Sequence, residues 1–189
     1  MMTPYEIAKS KIGLKEVVGP IHNDEIIAMF AKVGHSWVKD DETAWCAAFV
    51  GWALEMAGEK STRELNARSY LDWGKPVPLE EAQEGDIIVF PRGKSTWQGH
   101  VGFVSKMLEN GRVEVLSGNQ DNKVTLKPYQ LDSALGVRRA STSSTKPAVA
   151  TVGAVAAVGG AVAADVPAWA VGALVAALVV GFIIWKVRK

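Results

Sequence analysis

At 189 residues the chain has room for one core-bearing domain and an appendage. Its 21 basic and 20 acidic residues leave a net charge of +1, too even a balance for the footprint of a nucleic-acid partner. A single cysteine excludes an intramolecular disulfide. With only three scattered histidines beside it there is no zinc cluster, so no metal or cofactor is expected.

The start, Met1-Met2-Thr3-Pro4-Tyr5-Glu6-Ile7, lacks a charged stretch followed by an apolar run, so no secretory leader is expected there. Pro4 suits the first turn of a helix reaching about residue 11, where its missing N–H has no partner to lose. Asn23 and Asp24 can cap a second helix over 25–32, with Ile26, Ile27, Met29 and Phe30 as its apolar stripe. A third helix opens near Cys46 behind Asp41 or Thr43 as cap and stops at Gly58. It is apolar almost all round, which predicts a buried central helix. A further helical piece over 67–73 ends at Gly74.

The character then changes. Residues 87–90, 101–104, 113–116, 124–126 and 137–138 are short, β-branched runs separated by Gly, Asn and Asp turn signals. Helices first and short antiparallel strands afterwards predict an α+β domain over 1–139, its helices packed on one side of a small sheet. Residues 140–147 read as a polar linker. The Ala/Gly/Val-rich stretch 148–164 reads as a tether or a weak second span. In 166–185 the run from Ala168 to Trp185 is wholly apolar, with Trp169 and Trp185 at its ends, and the basic tail 186–189 follows. That pattern predicts a transmembrane helix, a lipid bilayer as partner and anchorage in a membrane, which the resemblance given below would make the bacterial inner membrane. The side of the 1–139 domain stays open. Lys186, Arg188 and Lys189 draw the tail inward, Arg138, Arg139 and Lys146 pull the other way, and a hairpin would put both ends together.

Cys46 is placed for nucleophilic chemistry, because exposed N–H groups and the positive end of the helix dipole favour its thiolate. The bland alternative is a buried thiol packed as a small hydrophobe. His100, in Gly99-His100-Val101-Gly102-Phe103-Val104, is the matching base. Alternation puts His100, Gly102 and Val104 on one strand face, and Gly99 and Gly102 leave open backbone beside the imidazole. Along 113–119 the same period turns both Ser117 and Asn119 toward His100, although an Asn after Gly118 also suits a turn. Asp40, Asp41 and Glu42 lack the alternating loop of a calcium site and read as capping groups. Asp86 reads as a turn residue, and His22 and His35 as structural.

Together these segments resemble the NlpC/P60 superfamily of papain-like peptidoglycan hydrolases, near its CHAP members. The carrying motifs are Trp45-Cys46-Ala47-Ala48-Phe49-Val50, Ala67-Arg68-Ser69-Tyr70 with Trp73-Gly74, Gly85-Asp86-Ile87-Ile88-Val89-Phe90, the His100 segment, and Ser117-Gly118-Asn119-Gln120. The order and spacing of five motifs over roughly residues 3–139 make the likeness more specific than any one alone. It implies a papain-like fold and a thiol hydrolase of peptidoglycan, an N-acetylmuramoyl-L-alanine amidase or a peptide endopeptidase. Cys46 would be the nucleophile and His100 the base. CHAP relatives carry a Glu and an Asn two residues apart at the last motif. Ser117 cannot supply that carboxylate, which leaves Asn119 as the orienting group. Trp45, Tyr70, Trp97, Gln98 and Gln120 are candidates to line a substrate groove. A short catalytic domain with a membrane tail suits a phage or prophage endolysin. The alternatives are a wall-binding module without activity and a membrane-permeabilising, holin-like lysis protein.

Overall fold

The computed structural model describes residues 2–141. Most of the polar linker, the 148–164 stretch and the 166–185 span lie outside the described residues. Among the described residues no helix is long and apolar enough to cross a membrane.

Helix α1 (Pro4–Lys9) begins with a capping box: the Thr3 hydroxyl accepts from the Glu6 amide, and the Glu6 carboxylate from the Thr3 amide at 2.7 Å. It stops two residues short of the expected end. Helix α2 (Asp24–Lys32) is capped by Asn23 and buries Ile26, Met29 and Phe30, as the apolar stripe requires. Helix α3 (Cys46–Met56) buries eight of its eleven residues, including all of Cys46 to Leu54 except Trp52. Its cap differs from expectation. Trp45 occupies the N-cap position and makes no side-chain capping bond, while Asp41 and Thr43 are engaged elsewhere. The piece at Ala67–Asp72 is a 3-10 helix.

Six strands follow: β1 (Lys75–Val77), β2 (Ile87–Pro91), β3 (Gly99–Leu108), β4 (Arg112–Ser117), β5 (Thr125–Gln130) and β6 (Gly136–Arg139). They form one sheet in the order β1-β6-β2-β3-β4-β5, every neighbouring pair antiparallel. Strand β1 was not expected: Lys-Pro-Val has no alternation, and it forms by pairing with β6 at the sheet edge. Strand β3 runs well past residue 104. A bulge between Val104 and Lys106 absorbs the polar Ser105, whose hydroxyl accepts from Tyr5 Oη at 3.0 Å.

The sheet separates two cores. Ile87, Val89, Val101, Phe103 and Leu116 face the helices, with Phe30, Trp45, Phe49 and Tyr70 opposite them. Ile88, Phe90, Val104, Val113, Val115 and Val137 face the other way and are covered by Leu79, Ala82, Leu131 and Ala134 around two short 3-10 turns. Apolar residues at every position of Ile87–Phe90 are what a strand buried on both faces needs. The register sets His100 opposite Phe90, at the second position of β3.

Candidate active site

Cys46 is the first residue of α3 and only 4% exposed. Burial pushes its thiol up, against backbone hydrogen bonds from Val101 and Ala47 and the charge of Arg92. The dipole of α3 therefore does not by itself produce a thiolate: desolvation outweighs it. Cys46 shares the helix-side core with Val101, the residue after His100.

The loops before α3 are held by buried polar bonds. Asp41 is fully buried and accepts from the amides of Val17 at 2.9 Å and Asn23 at 2.8 Å, with His22 Nδ1 at 3.1 Å. Burial works against its charge, yet these bonds keep the carboxyl below the usual range. Asp40 accepts from the Thr43 amide at 2.7 Å and from its hydroxyl. Trp45 is fully buried, and its indole N–H donates to Glu16 at 2.7 Å. Gly118 lies against that indole so closely that a Cβ there would stand 2.3 Å from Trp45 Cζ3. Trp45 is thus a wall between α3 and the turn after β4, and cannot line a substrate groove.

His100 is half-buried, with Nε2 3.3 Å from Gln120 Oε1. Its ring lies nearly parallel to that of Tyr129, centroids 5.8 Å apart, and Tyr129 stacks in turn on Phe90 at 4.6 Å. Burial lowers the imidazole to about 4, against the Gln120 hydrogen bond; the charges of Arg92 and Lys127 add to the lowering. No hydrogen bond joins the thiol to the imidazole among the described residues. The resting pair is a neutral thiol and a neutral imidazole at one end of β3.

Among the described residues no hydrogen bond joins Asn119 to His100. Alternation stops with β4 at Ser117, and Asn119 turns the chain with φ of +54°, followed by Asp121 and Asn122 in the same left-handed region. Ser117 is also diverted: its hydroxyl donates to the Val101 carbonyl at 2.6 Å. Gln120, expected in a groove, is 3% exposed and turned inward instead. Tyr70 is fully buried, its hydroxyl donating to the Ala47 carbonyl at 3.1 Å, so it supports α3 rather than meeting substrate. Gly102 is not open backbone either. A Cβ there would lie 2.6 Å from Val115 and 2.8 Å from Ser117, so close strand packing demands the glycine.

Trp97 and Gln98 are exposed on the loop leading into β3. Arg68 holds that loop by donating to the carbonyls of Gln98 at 2.8 Å and Ser95 at 3.1 Å. Tyr129 escaped the sequence reading because Lys127-Pro128-Tyr129 carries no strand signal of its own; its direction follows from pairing with Val113. Among the described residues no group of three or more His, Cys, Asp or Glu could hold a metal ion.

Residues 38–119 match the CHAP domain. The CHAP segment runs from the loop before α3 to the turn after β4 and contains both Cys46 and His100. No curated protein matches the chain. Among solved structures the chain is similar to an NlpC/P60 family protein from Bacillus cereus, at 20% identity over 50% of this chain and 30% of that one, with a TM-score of 0.39. NlpC1 from Trichomonas vaginalis is 19% identical over 72% of this chain and 42% of that one, with a TM-score of 0.45. RipD from Mycobacterium tuberculosis, described as a non-catalytic NlpC/P60 domain protein adapted to peptidoglycan binding, is 15% identical over 74% and 98%, with a TM-score of 0.41. The chain spans less than half the length of the first two.

Proposed function

We propose that the domain is a cysteine hydrolase of peptidoglycan amide bonds. The observation that supports this best is the CHAP match enclosing a Cys46 at the first turn of a buried helix and a His100 at the adjoining strand end. His100 takes the thiol proton as Cys46 Sγ attacks the carbonyl carbon of the scissile amide. The tetrahedral oxyanion meets backbone N–H groups at the start of α3, that of Cys46 among them. The C–N bond breaks as His100 returns the proton to the departing amine. Water, deprotonated by the same imidazole, then hydrolyses the thioester to a carboxylic acid and the free thiol.

We assign the amidase or endopeptidase reaction to this site, and a membrane-anchored lysis enzyme of phage or prophage type to the whole chain, with 166–185 as the anchor. Purified peptidoglycan incubated with the full-length chain in detergent tests the reaction, and fractionation without detergent tests the anchor. Release of free amino groups, with new N-terminal alanine for an amidase, is the expected result. Intact walls together with retained binding to them would favour the non-catalytic reading, for which the buried, neutral thiol speaks. Recovery of the full-length chain in the soluble fraction without detergent would refute the anchor.

A further inference from the structure

Gln120 makes no exposed contact, and everything around it is directional. Its amide nitrogen faces two backbone carbonyls, Val115 at 3.4 Å and Thr125. Its amide oxygen faces two other groups, His100 Nε2 at 3.3 Å and Tyr129 Oη at 2.9 Å. Carbonyl oxygens only accept, so the NH2 must point at Val115 and Thr125. The reverse orientation would set three oxygens together without a proton. The amide oxygen in turn has nothing to donate. Tyr129 satisfies it with its hydroxyl proton, and His100 can satisfy it only with an N–H on Nε2. A neutral imidazole protonated at Nε2 carries its lone pair on Nδ1.

Resting on the hydrolase reading above, we propose that Gln120, braced by Tyr129, is the positioning residue of the site in place of Asn119, and fixes His100 as the Nε2–H tautomer so that Nδ1 receives the thiol proton. Three supports converge on the ring: the Gln120 oxygen at Nε2, the Tyr129 ring on one face at 5.8 Å, and the shared hydrogen bond that ties these two together. When the thiol proton arrives, positive charge spreads over both ring nitrogens and the Nε2–H···Oε1 bond strengthens, with no reorganisation of the amide. A neutral amide adds no negative charge to the site. The charges that act on the imidazole are the cations Arg92, beyond β2, and Lys127, on β5, the latter paired with Asp121.

The chain has three histidines, so nitrogen-15 labelling of histidine in the full-length protein in detergent micelles gives a spectrum simple enough to assign with His100→Gln. At pH 7 the His100 signal is expected to show an unprotonated Nδ1 and a protonated Nε2. In Gln120→Ala the two tautomers should mix, and wall hydrolysis should lose 10- to 100-fold in kcat with KM within about twofold. Gln120→Leu, which keeps the bulk of the side chain and loses only its polar end, should mix the tautomers in the same way. This second variant decides the matter should Gln120→Ala fail to fold. A native His100 protonated at Nδ1, an unchanged tautomer in folded Gln120→Ala, or an unchanged tautomer in folded Gln120→Leu would each overturn the proposal. The spectra need no substrate. A locked tautomer in a chain that cuts no wall would sink the hydrolase reading alone, and a hydrolase whose tautomer ignores Gln120 would sink this one alone.

Discussion

The two halves of the site are held by different kinds of structure. Cys46 is fixed by packing: it opens a helix that is apolar nearly all round, behind Trp45, with Phe49 and Tyr70 pressed against the same core. His100 is fixed by direction: a strand end, one amide, one phenol ring and a turn containing three left-handed residues. A packed element responds to changes of volume and ignores hydrogen-bond geometry, whereas a hydrogen-bonded turn does the reverse. Changes of volume on the α3 side should therefore show in stability, and changes to the groups that hold His100 in turnover, apart from changes to the reacting atoms themselves.

The largest effect should come from the nucleophile. Cys46→Ala should cut wall hydrolysis by on the order of 10⁴–10⁶-fold while thermal unfolding stays close to native, since Ala is a good helix former of similar size. Undiminished clearing of purified walls would end the thiol mechanism. Acidity gives the next largest change and probes the turn side. The base must be neutral, so activity should fall about tenfold per pH unit only below the folded midpoint of about 4. Stability has its own window. An unfolded histidine titrates near 6.5, so between 6.5 and about 4 only the unfolded chain gains this proton, and stability falls across that range and levels off below it. An acid limb of activity centred near 6.5 would show that His100 is solvated in the working enzyme.

Gly118 is where the two halves touch, which makes it the sharpest test of the contrast. Gly118→Ala drives a methyl into the Trp45 ring and should cost about 1–3 kcal/mol in denaturant unfolding. A neutral result would mean that the turn can slide off the helix, and that packing does not join the halves. Asn119→Ala should have the smallest effect. It puts Ala at φ of +54°, costing about 1 kcal/mol, while kcat stays within about twofold of native because Gln120, not Asn119, holds the hydrogen bond to His100. A loss in kcat comparable with that of Gln120→Ala would return the orienting role to Asn119.

The same division explains what could be read in advance. Helix α3, the run Ile87–Phe90 and the strand around His100 declare themselves by periodicity, because regular backbone makes side-chain direction a function of position. Cys46 and His100 sit on such backbone. Gln120 does not: once Ser117 ends the strand, left-handed Asn119 resets the direction, and counting by twos selects 119 where the fold uses 120. Tyr129 was invisible for another reason, since its place against His100 depends on which strand pairs with β4, a choice made by the whole sheet. Asp41 read as a helix cap because sequence shows it near Cys46 and cannot show Val17 and Asn23 folding back onto it.

Tethering the Val17–Asn23 loop to a buried carboxylate also shapes how the site can be watched. With one thiol in the whole chain, and that thiol 4% exposed, an alkylating reagent has a single target and can reach it only when the structure opens. If the Asp41 bonds govern that opening, the rate of single-site labelling measures a local free energy of opening rather than global unfolding, and should rise in Asp41→Asn well before the core melts. Labelling kinetics thus supply a clock for that local opening that needs no substrate, no chromophore and no second cysteine.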